Sequence, residues 1–355
     1  MSWSSVVIEI LFYIAYAGLF FQGIKRKEES DEDFSKITAQ SLKGICCLAI
    51  FGHHYGQMSG EPVLSIFAHF GYLVLNIFFL ISGYGVMYGL RNKEHYLDTF
   101  LIRRCGKIIL CYWIMNGITV IMEYILQGEI SIDGWGRGLK IFFLKDAYYT
   151  QASWYIMMLF WLYFSFYLTA RFMGRYLQTV MFFAISGIII YNIIRGMPLW
   201  YYNYLYSFNV GIYMVCREKT EEKRQFFLKL FGSITAFILL FCLSKIDRMI
   251  EVSASIQVIL NILAVLSSTA LAVAVMLVME KIKMESKILY TLGGISTSIY
   301  IFHTCIMMRI QSGRVEQIKN WGICLWASLG ITIVVSLGIK RLLTGKSLNR
   351  REKIG

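Results

Sequence analysis

Lys43-Gly44-Ile45-Cys46-Cys47-Leu48-Ala49-Ile50-Phe51-Gly52-His53-His54 reads as one apolar helix with an ammonium group at one end and an imidazole at the other. Ionisable side chains at membrane depth are costly, and their presence marks function by default. Eleven residues at about 100° each return within roughly 20° of the starting direction and rise about 16 Å. Lys43 and His54 therefore share one stripe with half a bilayer between them. His53 points roughly 80° away from that stripe, which makes His54 the better candidate of the two.

The chain around this helix is of the same kind. Its 355 residues are 57% hydrophobic and 16% charged, with a mean hydropathy of +0.57. The apolar residues gather in blocks long enough to cross a bilayer, which excludes a soluble globular domain. Eleven spans are expected, at about 3–24, 37–55, 66–90, 108–126, 153–170, 177–194, 198–215, 230–244, 257–279, 288–308 and 322–339. Two prolines in the whole chain argue against a loop-rich architecture. The net charge of +13 is a topology signal, because 25 of the 35 Lys and Arg fall in alternate loops on one side and 9 on the other. The positive-inside rule then places the N-terminus outside and the C-terminus in the cytoplasm, and no nucleic-acid partner is implied. The expectation is an all-α polytopic membrane protein.

The eight cysteines sit in or beside apolar blocks with no CxxC or Cys/His ligand spacing. They read as small hydrophobes, with neither a disulfide framework nor a metal site. The first block lacks a positive n-region and a small-residue cleavage site, so it is expected to stay as a span. The charged run from Lys25 to Asp33 reads as a solvated linker, and no internal repeat is visible. The longest outer segment, about 127 to 152, has a Lys140–Lys145 core that reads as a short interfacial helix.

Histidine in a membrane helix can bond neighbouring helices, ligate haem or metal, or exchange protons. His95 reads as solvated in a cytoplasmic loop and His69 as a surface group at a helix start. His303 follows Ser296 and Tyr300 at i, i+4 and i+7 on one helix face. That helix is expected to run in the same direction as the one bearing His54, which brings both imidazoles into the outer half of the bilayer. The run Phe78-Phe79-Leu80-Ile81-Ser82-Gly83 permits close backbone approach. Arg103, Arg104 and Lys107 open a helix at the cytoplasmic face, suited to lipid headgroups or to an anionic ligand. Trp154 and Tyr155 open another at the outer face, where aromatic residues commonly belt a membrane.

Taken in order, these residues resemble the acyltransferase 3 family of integral membrane acyltransferases. The family's first core helix carries a cation followed by Gly, with His eleven residues after the cation, as do Lys43, Gly44 and His54. Phe78, Phe79, Ser82, Gly83 and Tyr84 match its next helix, and Arg103, Arg104 and Lys107 match the basic segment that follows. Trp154-Tyr155 and Ser296…Tyr300…His303 match its later motifs. Three departures stand out: Lys43 replaces the commoner arginine, Asn76 stands where an acid is frequent, and no proline precedes Tyr112.

The resemblance implies a ten-helix membrane domain over 37–340, with 1–36 an additional helix and charged linker, and 341–355 a basic cytoplasmic tail. It also implies a multi-pass protein of a bacterial cytoplasmic membrane that O-acylates a cell-surface or lipid-linked saccharide. The donor would be a cytoplasmic acyl-CoA, most often acetyl-CoA, and no metal would be needed. His54 would act as general base, with Lys43, His303 and Tyr300 as catalytic partners. Arg103, Arg104 and Lys107 would hold the donor; His53, Ser82, Trp154, Tyr155 and Ser296 would line the substrate path. Membrane lipid and the saccharide acceptor are the expected partners, and homo-oligomerisation is left open. A second class of reading is a proton-coupled transporter or flippase of a lipid-linked saccharide, with Lys43 and the histidines as a proton relay.

Overall fold

In a computed structural model, residues 3–28, 34–59, 67, 71–127, 134–144, 152–217, 223–311 and 321–344 are described. His69 and the tail beyond residue 344 lie outside them. The chain is an all-α polytopic membrane protein. Eight helices are long and apolar enough to cross a bilayer, or nine when one bent pair is taken as a single span.

The first, α1 (Trp3–Gly23), is followed by α2 (Lys36–Ser59), which carries Lys43 and His54, and by α3 (Gly71–Asn92). A π-helical turn over Ile102–Gly106 opens α4 (Lys107–Gln127). The amphipathic α5 (Gly134–Phe142) docks on α4. Tyr112 Oη and Trp113 Nε1 donate to the carbonyls of Ile141 and Phe142, each at 3.1 Å. This helix begins earlier than the Lys140–Lys145 core suggested, and Lys145 is outside the described residues. Next come α6 (Ser153–Phe172), α7 (Leu177–Ile194), α8 (Tyr206–Cys216), α9 (Lys223–Leu243) and α10 (Ala254–Lys281). The chain closes with α11 (Lys287–Gly293), α12 (Ser296–Gln311) and α13 (Trp321–Thr344).

Three details differ from the sequence reading. The block at 198–215 yields only the eleven-residue α8, because Pro198 starts a 3₁₀ turn and the aromatic run to Leu205 stays in turns. The block at 288–308 is two helices bent by 75°, broken at Gly293 and Gly294. The start of the charged linker is not simply solvated. Ile24–Arg26 (β1) pairs antiparallel with Ile282–Met284 (β2), and Lys25 Nζ reaches Glu285 at 3.0 Å.

Glycine decides how closely the central helices meet. A Cβ on Gly44 would strike the Leu289 carbonyl and one on Gly293 the Gln40 carbonyl, so α2 and α11 pass in opposite directions with backbones touching. Gly83 and Gly211 do the same for α3 and α8, against Phe208 and Leu80. Small residues are the usual means of such approach, since a bilayer offers no hydrophobic drive between helices. Asn76, buried on α3, accepts from Ser207 Oγ on α8. The position where an acid is frequent therefore serves here as an interhelical tie.

Candidate active site

Two cavities flank the middle of α12. The larger, about 880 Å³, is lined by His53, His54, Gln57, Trp154, Trp200 and His303 among others. The smaller, about 360 Å³, is lined by Lys43, Ser82, Arg103, Arg104, Lys107 and Ser296 among others. Tyr300 lines both.

The helical periodicity explains this partition. On α2, Lys43 faces the smaller cavity and His54 the larger, at the two ends of their shared stripe. On α12, Ser296 faces the smaller, Tyr300 the boundary and His303 the larger. The contacts advance together, from Cys47 Sγ with the Ser296 carbonyl at 3.9 Å to the His54 and His303 rings, centroids 5.0 Å apart. The two helices thus run in the same direction and bring their imidazoles to one depth.

His303 is buried, and its Nδ1 lies 2.9 Å from the Ile299 carbonyl oxygen. A carbonyl only accepts, so Nδ1 holds the proton and Nε2 of the neutral ring is a lone-pair acceptor. That Nε2 is buried and has no hydrogen-bond partner. Gln57, one turn further along α2, lines the same cavity as His54. His53, although off the Lys43–His54 stripe, also lines the larger cavity; its Nδ1 lies 3.2 Å from the Phe67 carbonyl and its ring 4.8 Å from that of His54.

Trp154 and Tyr155 are adjacent in sequence but face different cavities. Trp154 joins Trp200, at 5.0 Å and 76°, in the wall of the larger one. Tyr155 lies in the smaller, its ring 4.6 Å from Tyr300. Phe78 and Phe79 back this aromatic boundary, at 6.3 Å from Tyr300 and 5.3 Å from Tyr155.

The three cations of the basic segment also separate. Arg104 is tied down, donating from Nη2 to the Gly85 carbonyl at 3.0 Å and to Tyr96 Oη at 2.8 Å. Arg103 and Lys107 are exposed and make no ion pair or side-chain hydrogen bond among the described residues. Lys43 also has no such partner. The π-turn that carries both arginines is a feature often found at functional sites. The N-terminal turn of α12 adds Ser296 and Thr297 to the same wall, with its unsatisfied N–H groups and positive dipole end. Ser82 and Tyr163 line that wall as well.

Sequence reasoning missed Gln57, Trp200, Asn203 and Tyr204 in the larger cavity. The aromatic run after Pro198 was a usable signal, hidden by its reading as part of a span. Among the described residues no three His, Cys, Asp or Glu side chains gather as a metal ion would require.

No curated protein and no solved structure matches the chain significantly. The profile of the acyltransferase 3 family, described as an acyltransferase domain, matches residues 40–340, a stretch that begins in α2 and ends in α13. A match over most of the chain, spanning both cavities, means that this protein belongs to the acyltransferase 3 family and is a membrane acyltransferase.

Proposed function

We propose that the protein moves an acyl group, most often acetyl, from cytoplasmic acyl-CoA to a hydroxyl of a cell-surface or lipid-linked saccharide, across a bacterial cytoplasmic membrane. The observation that carries this reading is the meeting of a cation-lined cavity and an imidazole-lined cavity at Tyr300. Lys43, Arg103 and Lys107 lack carboxylate partners, and with the α12 N-terminus they suit the phosphates and thioester carbonyl of the donor. The cytoplasmic side of the smaller cavity follows from the positive-inside count, which assigns Arg103 and Lys107 to that face.

In the larger cavity His54 takes the proton of the acceptor hydroxyl as its oxygen attacks the thioester carbonyl carbon. The C–S bond breaks, and the thiolate of CoA leaves toward the smaller cavity as it takes up the proton that His54 accepted, which restores the neutral imidazole. His303 Nε2 accepts a hydrogen bond from the acceptor or from the His54 imidazolium, and Tyr300 donates to the developing oxyanion. His53, Trp154, Tyr155, Ser82 and Ser296 position the two substrates along the path.

The test uses inverted membrane vesicles given radiolabelled acetyl-CoA outside. Label in a lumenal glycan supports the reading. Saccharide flux without consumption of the thioester overturns it in favour of a transporter.

A further inference from the structure

The larger cavity contains two cations that acyl transfer itself does not require. Lys245 and Arg248 come from the turn and short 3₁₀ segment that joins α9 to α10, and both line the cavity that holds His54 and His303. No Asp or Glu lines it among the described residues. The neighbouring carboxylate, Asp247, accepts from Gln257 Nε2 at 3.4 Å and lies outside the lining, although its charge still acts on Lys245. Neither cation forms an ion pair or a side-chain hydrogen bond among the described residues. Lys245 is held over the Phe241 ring, 5.6 Å from its centroid, and Phe241 lines the same cavity. The positive-inside rule does not account for them, since it thins cations on this face.

The rest of the wall suits a sugar. Trp154 and Trp200 offer aromatic rings to the C–H face of a pyranose, and the buried Asn203 Oδ1 has no hydrogen-bond partner. The cavity thus combines ring-binding surface, free acceptors at Asn203 Oδ1 and His303 Nε2, and two cations with no carboxylate in the lining among the described residues.

We infer that Lys245 and Arg248 form an anion subsite, and that the saccharide acceptor carries a phosphate or a carboxylate near the hydroxyl that is acylated. This rests on reading the larger cavity as the acceptor side.

The experiment is a binding titration that involves no acyl transfer. The protein in phosphatidylcholine nanodiscs is titrated with glucose, glucose 1-phosphate and glucuronate, and quenching of tryptophan emission is followed. Glucose 1-phosphate or glucuronate should bind about tenfold tighter than glucose or better, with an affinity that falls as salt is raised. Whichever of the two binds tighter identifies the anion as phosphate or carboxylate. The pair Lys245→Gln and Arg248→Gln should erase the preference, and the charge-keeping pair Lys245→Arg and Arg248→Lys should retain it. Equal binding of glucose and its anionic counterparts overturns the inference, as does an unchanged preference in the glutamine pair. So does a response to phosphatidylglycerol in the nanodisc with none to the soluble anions, which would make these cations headgroup anchors. If vesicles show no acyl transfer while the anion preference stands, the proposed reaction fails and the subsite survives.

Discussion

At the scale of single residues, the proposed reaction divides the site into groups that would do chemistry and groups that hold structure. General-base catalysis typically contributes 10²–10⁴-fold. His54→Ala should therefore lower acyl transfer by about that factor in a vesicle assay, with the donor KM unchanged. Loss in His53→Ala with retention in His54→Ala would move the role by one residue. Lys43 is an unpaired cation on an apolar helix, and such a group costs stability. Lys43→Met should consequently raise the midpoint of thermal unfolding in detergent while lowering kcat; a lower midpoint would make Lys43 structural. The basic segment makes a similar contrast. Arg103→Ala with Lys107→Ala should raise the KM for acetyl-CoA. Arg104→Ala, which abandons the Gly85 carbonyl and the Tyr96 hydroxyl, should act chiefly on thermal stability.

At the scale of elements, the site depends on two glycine contacts. The α2–α11 contact sets the position of Lys43 and the α3–α8 contact that of Ser82. In each case the opposing atom is backbone, which has no rotamer through which to yield. Gly44→Ala or Gly211→Ala should destabilise the protein by about 1–3 kcal/mol or more, as overpacking of a tight core does. Gly117→Ala on α4 is the control, because a Cβ there meets nothing within 4 Å. Thermal unfolding of the three variants in one detergent checks this, and equal midpoints would contradict it. The bend between α11 and α12 belongs to the same scale. Non-helical backbone at membrane depth is tolerated where it is buried or lines a cavity, and Gly293 and Gly294 line the smaller one.

At the scale of the whole molecule, the proposed reaction requires the two cavities to face opposite sides of the membrane. On the orientation expected from the basic loops, the Lys43 cavity would face the cytoplasm and the His54 cavity the outside. Lys93 and Arg195, both exposed, should then lie on opposite faces. In intact cells a membrane-impermeant maleimide should label Arg195→Cys and spare Lys93→Cys. The reverse pattern would invert the orientation and with it the assignment of donor and acceptor sides. α1 precedes the matched stretch and is fastened to the remainder by the β1–β2 pair and by Trp326 Nε1 of α13, which donates to the Ile8 carbonyl at 3.1 Å.

Amino-acid order alone determined the membrane class, most helices, the Lys43–His54 stripe and the Ser296–Tyr300–His303 stripe, because apolar block length and helical period are local properties. It could not show that α8 is short, that α11 and α12 bend apart, or that residues 24–26 pair with residues 282–284, since these depend on partners distant in the chain. It also left Trp154 and Tyr155 as one motif and Arg103 and Arg104 as one cluster. Only the tertiary structure sent each pair to different tasks, because neighbouring helix positions point about 100° apart and what they meet is set by the packing of other helices. The same packing brought Lys245 and Arg248 to the wall that holds His54 and His303, a juxtaposition that no local pattern encodes.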